Sequence, residues 1–232
     1  MTDVLNNLYR SRNSLAVGGL LVTASVISLV LERVHTRLNG SNDYAFLVVN
    51  LGLAWIPFTA AVVAYLTSRN RATFFLIMPI CTLVWLVFFP NAPYLLTDFQ
   101  HLVYNSGNVP VWFDVILLLW FAWTGLLLGI SSLYLMQAIV ARVFNPTLSW
   151  IFAISATSLS SLGVYLGRFL RWNSWDVLQY PLFIAKDMYG IVRHPISNLP
   201  TYIFTVLFTL LFLFIYLAFH LFSDITREHT GK

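Results

Sequence analysis

The sequence predicts an all-α bundle of about six membrane-spanning helices, and two observations carry that prediction. Of 232 residues, 59% are hydrophobic and 9% charged, against roughly 25% charged residues in soluble domains. The apolar residues also fall into six long runs joined by short polar segments, and a run of about 20 apolar residues crosses a bilayer. Spans and connections use most of the chain, so a single transmembrane domain over residues 1–232 is expected, with no room for a soluble one.

The first span, residues 15–31, is uncharged and follows Arg10 and Arg12. It is longer than the apolar core of a signal peptide and no small-x-small cleavage site follows it, which makes it a retained helix. Residues 44–67 form the second, with Pro57 near the middle as a kink, because proline removes one backbone donor and clashes with the preceding turn. The third covers residues 72–89 and ends abruptly at Pro90, Asn91 and Pro93. Non-helical backbone at that depth must be covered by protein or water. Residues 115–140 form the fourth, closed by Arg142 and the Asn145-Pro146 break; residues 148–167 form the fifth and 201–219 the sixth. Gly125-x-x-x-Gly129 in the fourth and Gly163-x-x-x-Gly167 in the fifth let neighbouring helices approach closely.

A net charge of +4 comes from 13 Lys and Arg scattered over the aqueous segments. They form no basic patch, which excludes nucleic acid and leaves them as topology signals. With the N-terminus in the cytoplasm, the inner segments hold Arg10, Arg12, Arg69, Arg71, Arg142, Arg227 and Lys232, and the outer ones Arg33, Arg37, Arg168, Arg171, Lys186 and Arg193. The outer set is dominated by the long segment 168–200, and long loops weigh less, so both termini are expected on the cytoplasmic side of a cell membrane. Six spans also place the third-to-fourth and fifth-to-sixth connections on one side, whichever way the molecule points. Cys81 is the single cysteine and lies in an apolar stretch, so no internal disulfide forms.

Two polar strings stand on that shared side. One is Phe88-Phe89-Pro90-Asn91-Ala92-Pro93-Tyr94-Leu95-Leu96-Thr97-Asp98-Phe99-Gln100-His101-Leu102; the other runs from Gly163 through Arg168, Arg171, Trp172, Asn173, Ser174 and Trp175 to Asp176. They resemble the signatures of the bacterial integral-membrane family called domain of unknown function 1361, and the resemblance extends over essentially the whole chain. It implies a polytopic membrane fold of similar length and carries no activity, ligand or catalytic residue with it.

The chemistry therefore rests on the residues. Asp98 and His101 are three apart and share a helical face, a spacing that suits an acid-base pair, a proton relay or part of a metal site. Thr97-x-x-Gln100 also reads as a capping box with Asp98 in the first turn, which accounts for Thr97 and Gln100 but not for His101. Arg168 and Arg171 share a face too, and two guanidinium forks can hold a phosphate or carboxylate; snorkelling to the headgroups is the plain alternative. Asn91, Tyr94, Asn173 and Asp176 complete the candidate substrate-binding set, with Asn173-x-x-Asp176 open to reading as a helix cap. Trp172, Trp175 and Tyr180 suit an interfacial belt. His194, with His101 and Asp98, would be the ligands of any metal, although no short motif fixes one. His220, near the end of the sixth span on the other side, reads as a satisfied or interfacial histidine.

No phosphate loop, dinucleotide fingerprint, nucleophile elbow or intramembrane protease motif is present, which argues against the common nucleotide enzymes. The span centres hold no Asp, Glu, Lys or Arg, which counts against an ion-coupled transporter. Three classes stay open: a protein that binds or acts on a lipid or anionic headgroup at the extracytoplasmic face, a small-solute transporter or channel, and a structural or partner-binding subunit. In the first, Asp98 or His101 is the acid-base group and Arg168 with Arg171 binds the anion. No cofactor is indicated.

Overall fold

The computed structural model describes residues 2–68, 71–104 and 109–230; Arg69 and Lys232, two of the basic residues counted above, lie outside them. The helices are α1 (Thr2–Asn39), α2 (Ala45–Thr67), α3 (Arg71–Phe88), α4 (Asn91–Tyr94), a 3-10 helix (Leu95–Tyr104), α5 (Val111–Val143), α6 (Pro146–Phe169), α7 (Asp176–Gln179), α8 (Pro181–Arg193) and α9 (Leu199–Thr230). No strand occurs among the described residues. Six helical stretches are long and apolar enough to cross a membrane, and they match the six apolar runs in order.

The helices overrun those runs because polar residues continue the hydrogen-bonded turns beyond the apolar core. α1 passes residue 31 and stops at Asn39, where Gly40 adopts φ 75° and its amide returns to Thr36 O at 3.0 Å. That left-handed conformation is the usual glycine terminator. α2 continues through the buried Pro57, and α3 contains a further proline, Pro79. α6 begins as its sequence dictates: Asn145 Oδ1 accepts the Leu148 amide at 2.8 Å, and Pro146 occupies the first turn.

α5 is the axis of the bundle. Over its most apolar 18 residues 61% are buried, against 11–39% over the corresponding stretches of the other spans. It is packed by α1, α2, α4, the 3-10 helix and α6, while α9 lies on α6 and α3 on α2. Two apolar clusters fill the space around it. One gathers Trp85, Phe89, Leu126, Leu133, Phe212 and Tyr216; the other, nearer the α3–α6 exits, gathers Leu21, Leu47, Leu51, Leu95, Leu117 and Phe121.

The proline break after α3 is largely covered by protein: Pro93 is buried, and Pro90, Asn91 and Tyr94 are partly buried. Phe89, Ala92 and Leu95 are inaccessible to solvent. Gly125 and Gly129 of α5 lie against Ala92 and Leu95, while Gly163 and Gly167 of α6 lie against Pro90 and Tyr94. A Cβ at Gly125 would come within 2.6 Å of Ala92 O, and one at Gly163 within 2.6 Å of Pro90 Cγ. The two glycine pairs thus clasp the short α4 segment from opposite helices, which sequence spacing alone could not specify as their partner. Glycine is required there because it removes the atom that would otherwise hold the backbones apart.

Candidate functional site

The break turns the chain from α3 into the 3-10 helix and sets Thr97, Asp98 and His101 beside the end of α6. Asn91 stabilises the turn: its Nδ2 donates to Phe88 O at 2.9 Å, a carbonyl released by the end of α3, and to Ser174 Oγ at 2.7 Å. A 3-10 helix has three residues per turn, so Asp98 and His101 lie one above the other.

Arg168 organises the site. Its guanidinium lies over the Tyr94 ring, 4.2 Å from the centroid. Nε and Nη2 donate to Thr97 Oγ1 at 2.9 and 2.7 Å, and Nη2 also donates to Asp98 Oδ1. Nη1 stands 3.4 Å from His101 Nε2. Asn50 of α2 donates to the second carboxylate oxygen of Asp98 at 3.4 Å, and Phe46 packs on the His101 ring, with centroids 4.6 Å apart. The side chains of Asp98 and Arg168 are 1% and 7% exposed. His101 is only partly buried, so the network runs outward from a sealed ion pair to a histidine at the surface.

Several sequence expectations change here. Thr97 is not a helix cap: it lies inside the 3-10 helix, gives its proton to Tyr94 O at 2.7 Å and accepts from Arg168, while Gln100 is exposed. Arg171 does not share a face with Arg168. α6 ends at Phe169, the Trp172 amide returns to Leu166 O at 3.2 Å, and Arg171 occupies the left-handed position of that cap at φ 61° with its side chain in the open. Asp176 is a local brace, accepting at one carboxylate oxygen from the Asn173 amide at 2.7 Å and from its Nδ2 at 3.2 Å. Asn173 is exposed. His194 is exposed at the end of α8, and among the described residues no group of three or more His, Cys, Asp or Glu can hold a metal, so His194 does not join Asp98 and His101. Trp172 is more than an anchor, since its Nε1 donates to Asp187 Oδ2 of α8 at 2.9 Å. At the opposite end of α9, His220 stands among Trp150, Tyr134 and Tyr216.

Asn50 and Phe46 were not anticipated. Both sit in an apolar run with no motif about them, and only their position one helix away from the 3-10 segment gives them a role. A second polar pair was missed as well: His35 Nε2 of α1 lies 3.0 Å from Asp114 Oδ1 of α5, with both side chains fully buried.

Six apolar helices closed around polar networks define a multi-pass helical membrane protein. More particularly, the chain belongs to the family described as protein of unknown function (DUF1361), whose model matches residues 49–215. Searches of curated proteins and of solved structures find no match.

Proposed function

We propose that the Asp98–Arg168–His101 network binds the phosphate-bearing headgroup of a membrane lipid at the extracytoplasmic face. The observation that carries this reading is the outward gradient of the network, from an Asp98 carboxylate 1% exposed to a partly exposed His101 with Arg168 Nη1 beside it. Ionisable groups at membrane depth are costly to maintain and as a rule serve an ion, a substrate or a lipid. Nε and Nη2 of Arg168 are committed to Thr97 and Asp98. Nη1 carries two N–H groups and faces one histidine nitrogen, which leaves a donor for an incoming oxygen.

This reading differs from a two-arginine clamp, because Arg171 stands outside the network. It makes Asp98 the group that fixes Arg168, and any acid-base step at the site falls to His101. The termini are cytoplasmic in this reading, which keeps Arg10 and Arg12 inside.

A purely structural reading has its own support: Asp98 matches the charge of Arg168, and the pair joins the 3-10 helix to α6. Native mass spectrometry separates the two. Protein released from mixed phosphatidylglycerol and phosphatidylcholine nanodiscs should retain phosphatidylglycerol preferentially, and His101→Gln should abolish that preference while leaving thermal stability unchanged. Equal retention by wild type and variant, with normal stability, would leave the network as a structural latch.

A further inference from the structure

The chain between the last two spans forms α8, a helix of 13 residues, whose rise of about 20 Å falls short of the roughly 30 Å hydrocarbon core that a span must cross. α8 is nonetheless fastened to the ends of both membrane helices that flank it. On the α6 side, Trp172 Nε1 donates to Asp187 Oδ2 at 2.9 Å. On the α9 side, Asn198 Nδ2 donates to His194 O at 2.9 Å, and the Tyr202 hydroxyl, in the first turn of α9, donates to Ile191 O at 3.1 Å.

Helical spacing divides α8 into three strips. Ile184, Asp187, Met188 and Ile191, at i, i+3, i+4 and i+7, face the protein, and each is buried or half-buried. Leu182, Ala185, Tyr189 and Val192 form an outward apolar strip, in which Leu182, Tyr189 and Val192 are 82%, 60% and 68% exposed. Lys186 and Arg193, two turns apart, form a basic strip next to it, and both are exposed. The two outward strips meet at Tyr189, whose hydroxyl accepts from Arg193 Nη1 at 2.6 Å.

Charge in the whole α6–α9 connection is sorted in the same way. Its two acids are turned inward and engaged: Asp176 is buried and accepts the Asn173 amide, and Asp187 accepts from Trp172. Its cations, Arg171, Lys186 and Arg193, are all exposed. The outer surface of the connection therefore carries positive charge with no carboxylate to balance it.

We propose that α8 is an in-plane anchor that binds an anionic bilayer surface. The apolar strip enters the boundary between headgroups and acyl chains, and Lys186 and Arg193 meet the lipid phosphates. A helix with an apolar strip, a basic strip beside it and a tyrosine between them is built to lie in that boundary. Left in water, the same strip would be a contiguous exposed apolar patch. Lipid is the occupant that fits, because α8 is tied to the ends of two membrane helices and its unbalanced charge complements anionic headgroups. The surface is separate from the Arg168 network and does not depend on that network's ligand.

Spin-label accessibility of the full chain in vesicles tests this. Single nitroxides replace Leu182 or Val192, with Cys81 changed to Ser, in vesicles of phosphatidylcholine with or without phosphatidylglycerol. In the anionic vesicles both labels should collide readily with oxygen and poorly with a water-soluble nickel chelate. Lys186→Gln with Arg193→Gln, or omission of phosphatidylglycerol, should shift that ratio toward its value in water. Where a label disturbs folding, unlabelled wild type in vesicles carrying photoactivatable phosphatidylglycerol should be crosslinked within residues 181–193, and absence of that crosslink would count against the anchor. Labels that meet the nickel chelate as freely as in bulk water would overturn the proposal. So would labels shielded from both reagents, which would mean that a protein surface covers α8, or a ratio indifferent to the two basic residues and to lipid charge.

Discussion

Gly163 of α6 approaches Pro90 so closely that a Cβ on the glycine would lie 2.6 Å from Pro90 Cγ. That approach brings the last turn of α6, and Arg168 with it, against the turn leading to Asp98. The proline ring is tied to the backbone at both ends and cannot swing aside, so the site's geometry depends on the absence of one methyl group.

Gly163→Ala should therefore destabilise the folded protein by about 1–3 kcal/mol, the usual cost of overpacking a filled interior. Gly125→Ala meets a backbone oxygen as well as Leu95 and should be at least as damaging. Gly52 of α2 has open space around it, and Gly52→Ala should be neutral or stabilising by up to about 1 kcal/mol through helix propensity. Thermal unfolding of the three variants in one detergent measures the order.

Breaking the buried ion pair from one side should cost about 3–5 kcal/mol, because it strands the other charge. Asp98→Leu and Arg168→Leu are each expected to lower the yield of folded protein sharply. The double variant removes both charges and should recover much of that loss. A double-mutant cycle on melting temperature reads the coupling, and additive losses would mean that the two charges do not depend on each other.

Asn91→Leu removes the donor that satisfies Phe88 O beneath the proline break, a loss of about 1–3 kcal/mol for a buried acceptor left unmatched. Ser174→Ala removes the second partner of Asn91 and leaves the bond to Phe88 intact. It should be the milder change. Comparison of folded yields by size-exclusion fluorescence decides between them.

Cysteines placed at Lys186 and at Phe144, both exposed, should label from opposite sides of the membrane, since one odd number of spans separates their connections. Labelling of both from the same side would contradict the six-span path. Labelling of Lys186→Cys from the cytoplasm alone would reverse the proposed orientation.

The spans were legible because apolar run length is a direct physical requirement of the bilayer. The break at Pro90, Asn91 and Pro93 was legible for the same kind of reason: backbone without helical hydrogen bonds must be covered, and Ala92 and Leu95 are. Parity placed Asp98 and Arg168 on one side of the membrane, but which acidic residue meets Arg168 is seen only in the structure. What sequence spacing misjudged was local backbone form. Arg171 shares a face with Arg168 only if α6 continues past Phe169, and the chain reverses instead, placing a non-glycine residue at φ 61°. Thr97 looked like a cap because nothing in the sequence distinguishes a helix start from a 3-10 turn that Arg168 crosses. His35 and Asp114 escaped notice since each lies just beyond an apolar run and their proximity depends on how α1 packs against α5.

Charge-preserving substitution probes what the guanidinium does beyond carrying a charge. Lysine at 168 keeps the charge opposite Asp98 and loses the planar fork that reaches Thr97, Asp98 and His101 together and lies over Tyr94. Arg168→Lys should lose selective retention of phosphatidylglycerol while keeping more folded protein than Arg168→Leu. Retention equal to wild type would place the lipid contact elsewhere.

The most direct measurement is a cryo-electron microscopy map of the protein in phosphatidylglycerol nanodiscs, enlarged by a bound antibody fragment. The account predicts density for a phosphate within hydrogen-bond reach of Arg168 Nη1 and His101, at about 2.7–3.2 Å from a donor nitrogen, and its loss in His101→Gln. A well-resolved network with His101 facing bulk water or protein, and no headgroup density beside it in either map, would contradict it.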